Sequence, residues 1–218
     1  LMHHDGGRTL ETIVGTLESM GYGVSWRLVN AAFAVPQGRE RVFLLALRDG
    51  GAFDLGDVRF DGNHPRLGMA LHPEDGSEKP EWPFTEGPEA RVRGRYYLSE
   101  KLWAYLQGYR DRHKAAGHGF GCTVAGPDDL SRTLSARYYK DGSECLIAPR
   151  APGSPPRKLT PREAFRVMGF PDDFVIPVSP TQAWKQAGNA LVPAVPDRII
   201  RTLKGSSSDL VAECGQAS

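Results

Sequence analysis

Gln37, Arg39 and Arg41 alternate with Gly38 and Glu40 at the head of an apolar run, Val42-Phe43-Leu44-Leu45-Ala46-Leu47. In extended backbone, side chains two positions apart point the same way. The spacing therefore predicts three donors on one face at the start of a buried strand. An amide and two guanidinium forks converging there suit an anionic or carbonyl-bearing ligand. The same spacing also fits a solvated strand start that carries a surface charge pair. Cys122, Cys145 and Cys214 are scattered without Cys-x-x-Cys spacing. Neither a disulfide framework nor a metal site is expected, and a reducing cytoplasm fits.

The elements around these residues are set by periodicity. Leu10, Ile13, Val14, Leu17 and Met20 recur at helical spacing up to Gly21, which predicts an amphipathic helix over Thr9–Met20. Tyr22–Val29 and Val42–Leu47 read as strands close enough to pair as an antiparallel hairpin, the edge of a layered α/β sheet. From Asp49 to Pro88, Gly, Pro and acidic residues predict mostly loop. Glu100–Tyr109 reads as a helix, and His113–Ile147 as Gly-rich, basic and aromatic with short strands. Thr160-Pro161-Arg162-Glu163 is a capping box with Pro at the first helical position, and Gly169 stops that helix. Ser179-Pro180-Thr181-Gln182 repeats the start signal. A third helix opens at Pro193 or Pro196, with Val195, Ile199, Ile200 and Leu203 facing inward. After Lys204 the composition predicts a disordered tail.

The net charge of +1 hides an uneven distribution. Residues 51–90 hold 9 acidic and 3 basic side chains, whereas residues 91–168 hold 15 Lys and Arg against 7 Asp and Glu. Such a basic segment is either a footprint for a polyanion or a solvated face. No apolar run approaches the length that spans a bilayer, so no membrane partner is expected.

Gln37-x-Arg39-x-Arg41 resembles motif VIII of the DNA (cytosine-5) methyltransferases. Two later segments resemble the same family in its order. Arg157-Lys158-Leu159-Thr160-Pro161-Arg162-Glu163 through Met168-Gly169-Phe170-Pro171 is similar to motif IX, and Gln186-Ala187-Gly188-Asn189-Ala190-Leu191-Val192-Pro193 to motif X. His4-Asp5-Gly6-Gly7-Arg8-Thr9 is similar to the segment just after the family's Glu-Asn-Val motif. The resemblance covers the chain to about Lys204 and is nearest to bacterial members. It implies an α/β fold: the edge portion of a Rossmann-like S-adenosylmethionine-dependent methyltransferase sheet plus a small mixed α/β target recognition domain. The implied boundaries are 1–49 for the catalytic edge, 50–156 for the recognition domain, 157–204 for helices returning to the catalytic domain, and 205–218 for the tail.

The resemblance also implies a chemistry. In the family a thiolate adds to C6 of cytosine, and C5 then attacks the sulfonium methyl of S-adenosylmethionine. Elimination finally releases the thiolate. The target base leaves the duplex first, as in base-flipping methyltransferases generally. Arg41 then takes the O2-side donor role, Arg39 supports the site or a nearby phosphate, and Gln37 helps hold the loop. Asn189, Ala190 and Leu191 are implied at the amino-acid end of the cofactor, although Ala190 stands where many members have Ser. A Gly188-Asn189 bend is expected there, which is generic on its own because both residues tolerate left-handed backbone. Thr133-Leu134 resembles the recognition domain's Thr-Leu pair. With Arg137, Tyr138, Lys140, Gly119 and Phe120 it supplies the implied contacts to double-stranded DNA. Lys140-Asp141-Gly142 is equally readable as a hairpin turn. Arg157–Glu163 carries no implied catalytic role, only organisation of the recognition domain.

The family's Pro-Cys-Gln nucleophile, Glu-Asn-Val and Phe-x-Gly-x-Gly do not occur in the 218 residues. The chain is therefore expected to be inactive alone and to need the missing N-terminal half in cis or as a separate subunit. A truncated sequence, with Leu1 where Glu-Asn-Val should end, is the first expectation and a naturally split enzyme the second. A non-catalytic, sequence-specific DNA-binding module is a further alternative. The implied setting is a restriction-modification system in a bacterial cytoplasm, at the nucleoid when bound to DNA. The lone hairpin is expected to expose an apolar edge and face.

Overall fold

The computed structural model describes residues 2, 4–118, 122–150 and 153–215, with side chains described up to Gly205. Two compact units form. One comprises Leu1–Phe33, Arg39–Gly62 and Pro193–Ser218, and the other Ala34–Gly38 and Asn63–Val192. Three expected boundaries are thereby displaced. The first unit reaches Gly62 rather than residue 49. The turn Pro36-Gln37-Gly38 falls in the second unit. The helices expected to return to the catalytic domain stay in the second unit up to Val192.

The first unit begins with α1 (Arg8–Ser19), whose Leu10 is buried and whose Thr12 and Thr16 hydroxyls donate back to the carbonyls of Arg8 and Thr12. Gly21, at φ +87°, ends it by donating to Glu18 O at 2.9 Å. Met20, expected inward, is 65% exposed because it already caps the helix.

β1 (Gly23–Asn30) and β2 (Glu40–Leu47) pair antiparallel from Gly23↔Leu47 to Asn30↔Glu40. Trp26 and Leu28, two positions apart and so on one face, are each about two-fifths exposed. Neither outer edge of this hairpin has a strand partner among the described residues. The loop after β2 is anchored by Arg27, which donates to Leu55 O at 3.0 Å and to Val58 O at 2.8 Å.

In the second unit, short strands are framed by helices. β3 (Thr85–Glu86) pairs with β4 (Arg91–Val92). α2 (Glu100–Ala115) runs further than its apolar spacing suggested. β5 (Val124–Ala125), β6 (Leu146–Ile147) and β7 (Arg157–Lys158) form a three-stranded sheet, parallel and then antiparallel. α3 (Pro161–Val167) has the expected capping box. Glu163 N donates to Thr160 Oγ1 at 3.1 Å, and Thr160 N donates to the Glu163 carboxylate at 2.8 Å. α4 (Pro180–Asn189) is capped by Ser179. The core centres on Trp184, whose ring meets Tyr96 at 5.9 Å and Tyr138 at 6.1 Å edge-on and whose Nε1 donates to Leu159 O.

α5 (Ala194–Gly215) closes the chain in the first unit. Val195 and Ile199 are buried, but Ile200 is half exposed and not inward as expected. The helix also runs on to Gly215, where a disordered tail was expected; adding a turn to an existing helix costs far less than nucleating one. Among the described residues no helix is long and apolar enough to cross a membrane, and no group of side chains is arranged to hold a metal.

Candidate base-gripping and recognition sites

Gln37 is wholly buried, and both ends of its amide are committed within the second unit. Its Oε1 accepts from Leu134 N at 2.8 Å. Its Nε2 lies 3.4 Å from Val167 O and 3.2 Å from Met168 Sδ. Around it the turn pairs in parallel with Ser131. Gly38 N donates to Ser131 O, Ser131 N donates to Pro36 O, and Thr133 Oγ1 donates to Gly38 O. The expectation of three donors on one ligand face is therefore corrected. Gln37 turns inward to splice the turn to the Thr133-Leu134 segment and to the end of α3, and its amide is not on offer.

Arg39 and Arg41 belong to the first unit. The backbone of Arg39 is held on both sides, its N donating to Asn30 Oδ1 and its O accepting from Ala31 N. Its side chain is buried, and that burial, with the neighbouring Arg41 charge acting in the same sense, lowers its guanidinium to about 10. The guanidinium remains charged at neutral pH and close to a second positive charge, an arrangement suited to an electron-rich oxygen. Arg41 lies in β2 opposite Val29, is exposed, and donates through Nη1 to Glu40 O at 2.7 Å. The two arginines are thus held near one another, one packed and one presented to solvent.

The residues expected to contact DNA divide. Leu134 and Tyr138 are each 1% exposed, so neither side chain offers a face to DNA, and their expected contact role is corrected. Tyr138 is a core strut. Its hydroxyl donates to Cys145 O at 2.7 Å and accepts from Leu159 N at 2.8 Å, while burial pushes its phenol well above the ordinary range. Thr133 is half-buried and spends its hydroxyl on Gly38. Arg137 and Lys140 are exposed. They sit in successive turns that end at Gly142, whose φ is +69° and whose N donates to Tyr138 O. No two-stranded hairpin flanks that turn among the described residues. Gly119 and Phe120 lie outside the described residues.

At the end of α4, Asn189 and Leu191 are exposed and Ala190 is half-buried. Neither Gly188 nor Asn189 uses the left-handed backbone that both tolerate. Glycine is required at position 188 for another reason. A Cβ there would lie 2.2 Å from Ser135 O, so only a bare α-carbon lets α4 pass the segment just beyond Thr133-Leu134.

Sequence reasoning missed the buried charge network beneath these segments. Arg157 grips Glu163 through two hydrogen bonds of 2.7 and 2.8 Å, and Glu163 also accepts from His72 N at 2.9 Å. His72 Nδ1 lies 2.7 Å from Glu78, and its Nε2 lies 3.0 Å from Thr160 Oγ1. Burial alone would raise the Glu163 carboxyl, but the Arg157 guanidinium outweighs it and holds the group below its ordinary value. The capping box was a signal for Glu163; nothing local marked His72, which is 91 positions away.

Neither buried cysteine is set up as a nucleophile. Burial pushes the Cys145 thiol to about 12 and also raises that of Cys122.

Residues 1–205 match the family model described as C-5 cytosine-specific DNA methylase. The chain is 41% identical to the Type II methyltransferase M.SsoII of Shigella sonnei over 209 residues, covering 93% of this chain and 51% of that protein. It is 38% identical to the Type II methyltransferase M.DsaV of Dactylococcopsis salina over 205 residues, covering 93% and 52% respectively. The chain spans about half the length of these relatives. Among solved structures, a Dnmt2 methyltransferase of S. pombe superposes with a TM-score of 0.68 at 17% identity, covering 94% of this chain and 64% of that one. That likeness shows the fold.

Proposed function

Because the chain belongs to the C-5 cytosine-specific DNA methylase family, we propose that it is the base-gripping and DNA-reading portion of an enzyme that methylates C5 of a flipped cytosine in a specific duplex site. The observation that carries this reading is the pairing of a buried, backbone-anchored Arg39 with an exposed Arg41 at the head of β2. Arg41 donates to the cytosine O2, where negative charge grows as the ring is attacked at C6. Arg39 adds a fixed positive charge behind it.

The end of α4 supports a cofactor role. The exposed Asn189 amide and Leu191, with the backbone of Ala190, would hold the amino-acid end of S-adenosylmethionine. Position 190 contributes no hydroxyl. When bound, the cofactor supplies an electrophilic methyl group. Arg137 and Lys140, both exposed, meet the DNA, and Thr133 orders the turn that precedes Arg39.

The thiolate that attacks C6 must come from elsewhere. Pro-Cys-Gln is absent from these 218 residues, and burial keeps Cys145 and Cys122 protonated. The chain is accordingly inactive by itself and works with a segment carrying Pro-Cys-Gln, Glu-Asn-Val and Phe-x-Gly-x-Gly, in cis or as a separate subunit. The setting is a bacterial cytoplasm, where the complete enzyme is the modification partner of a Type II restriction system. Supplying that segment in trans and digesting the labelled duplex to nucleosides tests the proposal. Label on 5-methylcytosine supports it; label on an exocyclic nitrogen, or none at all, overturns it.

A further inference from the structure

α2 is packed along one side only. Leu106 is its single buried residue, and Leu102 and Trp103 rest against a small cluster with Leu98, Cys122 and Leu146. Along the flank of that side run rings at a spacing of four residues, from the exposed Tyr105 to the half-buried Tyr109 and His113. Tyr105 and Tyr109 stack at 6.0 Å, Tyr109 meets His113 at 4.2 Å, and His113 meets His118 beyond the helix at 6.1 Å. Tyr105 is 58% exposed. Lys101 and Arg112 lie on the same side by helical spacing, and the Arg112 guanidinium stands 5.8 Å over the Tyr109 ring. Arg110 and Lys114 add charge, whereas the helix holds only Glu100 and Asp111 as acids, the latter paired with Arg110 at 3.2 Å.

Basic residues in the last turn of a helix complement its dipole, which accounts for Arg112, His113 and Lys114. The dipole does not account for Lys101, in the first turn at the other end, or for the exposed phenol of Tyr105 between them. The exposed Lys101, Tyr105 and Arg112 offer two cations and a phenol on one side of α2, with no carboxylate of the helix among them, and so match a line of phosphates. We propose that this side of α2 is a second DNA-contact surface that binds the duplex backbone without reading bases. The inference rests on the DNA-substrate reading above and adds a surface that none of the motif residues occupies. Its consequence is affinity for DNA independent of the target sequence.

Fluorescence anisotropy of the full 218-residue chain with a labelled mixed-sequence 30-bp duplex, titrated across a range of KCl concentrations, tests it. Replacing exposed Lys101 and Arg112 together by Gln leaves the Leu106 cluster untouched. The change should weaken binding about 10-fold at low salt and reduce the slope of log K against log salt by about 2, near one unit per lost phosphate contact. Tyr105→Ala should weaken binding with no change of slope, and Asp111→Asn should tighten it. Wild-type binding with both affinity and slope unchanged in the Lys101/Arg112 variant overturns the α2 surface and leaves the DNA reading standing. Tighter binding of a 30-nucleotide single strand than of the duplex overturns the choice of partner. Failure of the wild-type chain to bind the duplex overturns the surface and the DNA-substrate reading together.

Discussion

The side-chain oxygen of Gln37 accepts the backbone N–H of Leu134 at 2.8 Å, joining segments 97 positions apart. Gln37 belongs to the second unit and the next residue but one, Arg39, to the first. Within the second unit, the turn before Arg39 and Arg41 is anchored to the segment that precedes the exposed Arg137 and Lys140. Gln37→Leu strips the buried Leu134 N–H of its acceptor. A loss of about 1–3 kcal/mol is expected, read from urea unfolding of the chain. Unchanged stability would show that the turn is held by Ser131 and Thr133 alone.

Glu163→Gln removes the charge that Arg157 is buried against, and a cost of about 3–5 kcal/mol is expected from an uncompensated buried guanidinium. The carboxyl of Glu163 sits below its ordinary value when folded, so its charged form favours folding. That stability is fully present above the unfolded value and is lost as pH falls through the folded one. Unfolding curves for wild type and variant should accordingly separate toward pH 7 and converge only as pH falls below the ordinary carboxylate range. A gap independent of pH would contradict the assignment.

Gly188→Ala drives a methyl to 2.2 Å from Ser135 O, backbone that cannot swing aside like a side chain. A loss of about 1–3 kcal/mol is expected, measured as a drop in Tm. Ser135→Ala, which leaves that carbonyl in place, should not rescue it.

Cys145 is buried with its thiol raised to about 12. Alkylation at pH 8 and then mass spectrometry should find it unmodified in the folded chain and modified after denaturation. Rapid labelling of the native protein would mean that a reactive thiolate is present after all.

How much of this was legible in the sequence depends on the distance between partners. The hairpin, α1 and the Thr160–Glu163 capping box rest on signals within a few residues, and they stand where periodicity and capping chemistry put them. Tyr138 was misread because what buries it, Trp184 and the Leu159 N–H, lies 46 and 21 positions away. Locally, an Arg-Tyr-Tyr-Lys run reads as a contact surface. For Gln37 the loop-holding role implied by the resemblance agrees with its hydrogen bonds, but the shared face that alternation predicts does not, because alternation cannot show that a distant amide, Leu134 N, claims one side chain out of three. The glycine at 188 was legible as necessary but not for its cause, since close approach leaves no mark beside it in the chain. His72, tied to Glu163 across 91 positions, left no local signal at all.

Arg41→Ala tests the proposed electrostatic role once the missing motifs are supplied. A fall of about 10²–10³ in kcat is expected, as for loss of one donor to a developing oxyanion, with duplex affinity nearly intact. A loss confined to KM would make Arg41 a binding residue only.

The central claim is that these residues grip and read DNA while the bond-making thiolate is encoded elsewhere. Incorporation of labelled methyl from S-adenosylmethionine into duplex DNA measures it most directly, with the chain alone and with a second chain bearing Pro-Cys-Gln, Glu-Asn-Val and Phe-x-Gly-x-Gly. No incorporation by the chain alone and transfer on mixing is the predicted result. Methyl transfer by the isolated 218-residue chain would contradict it.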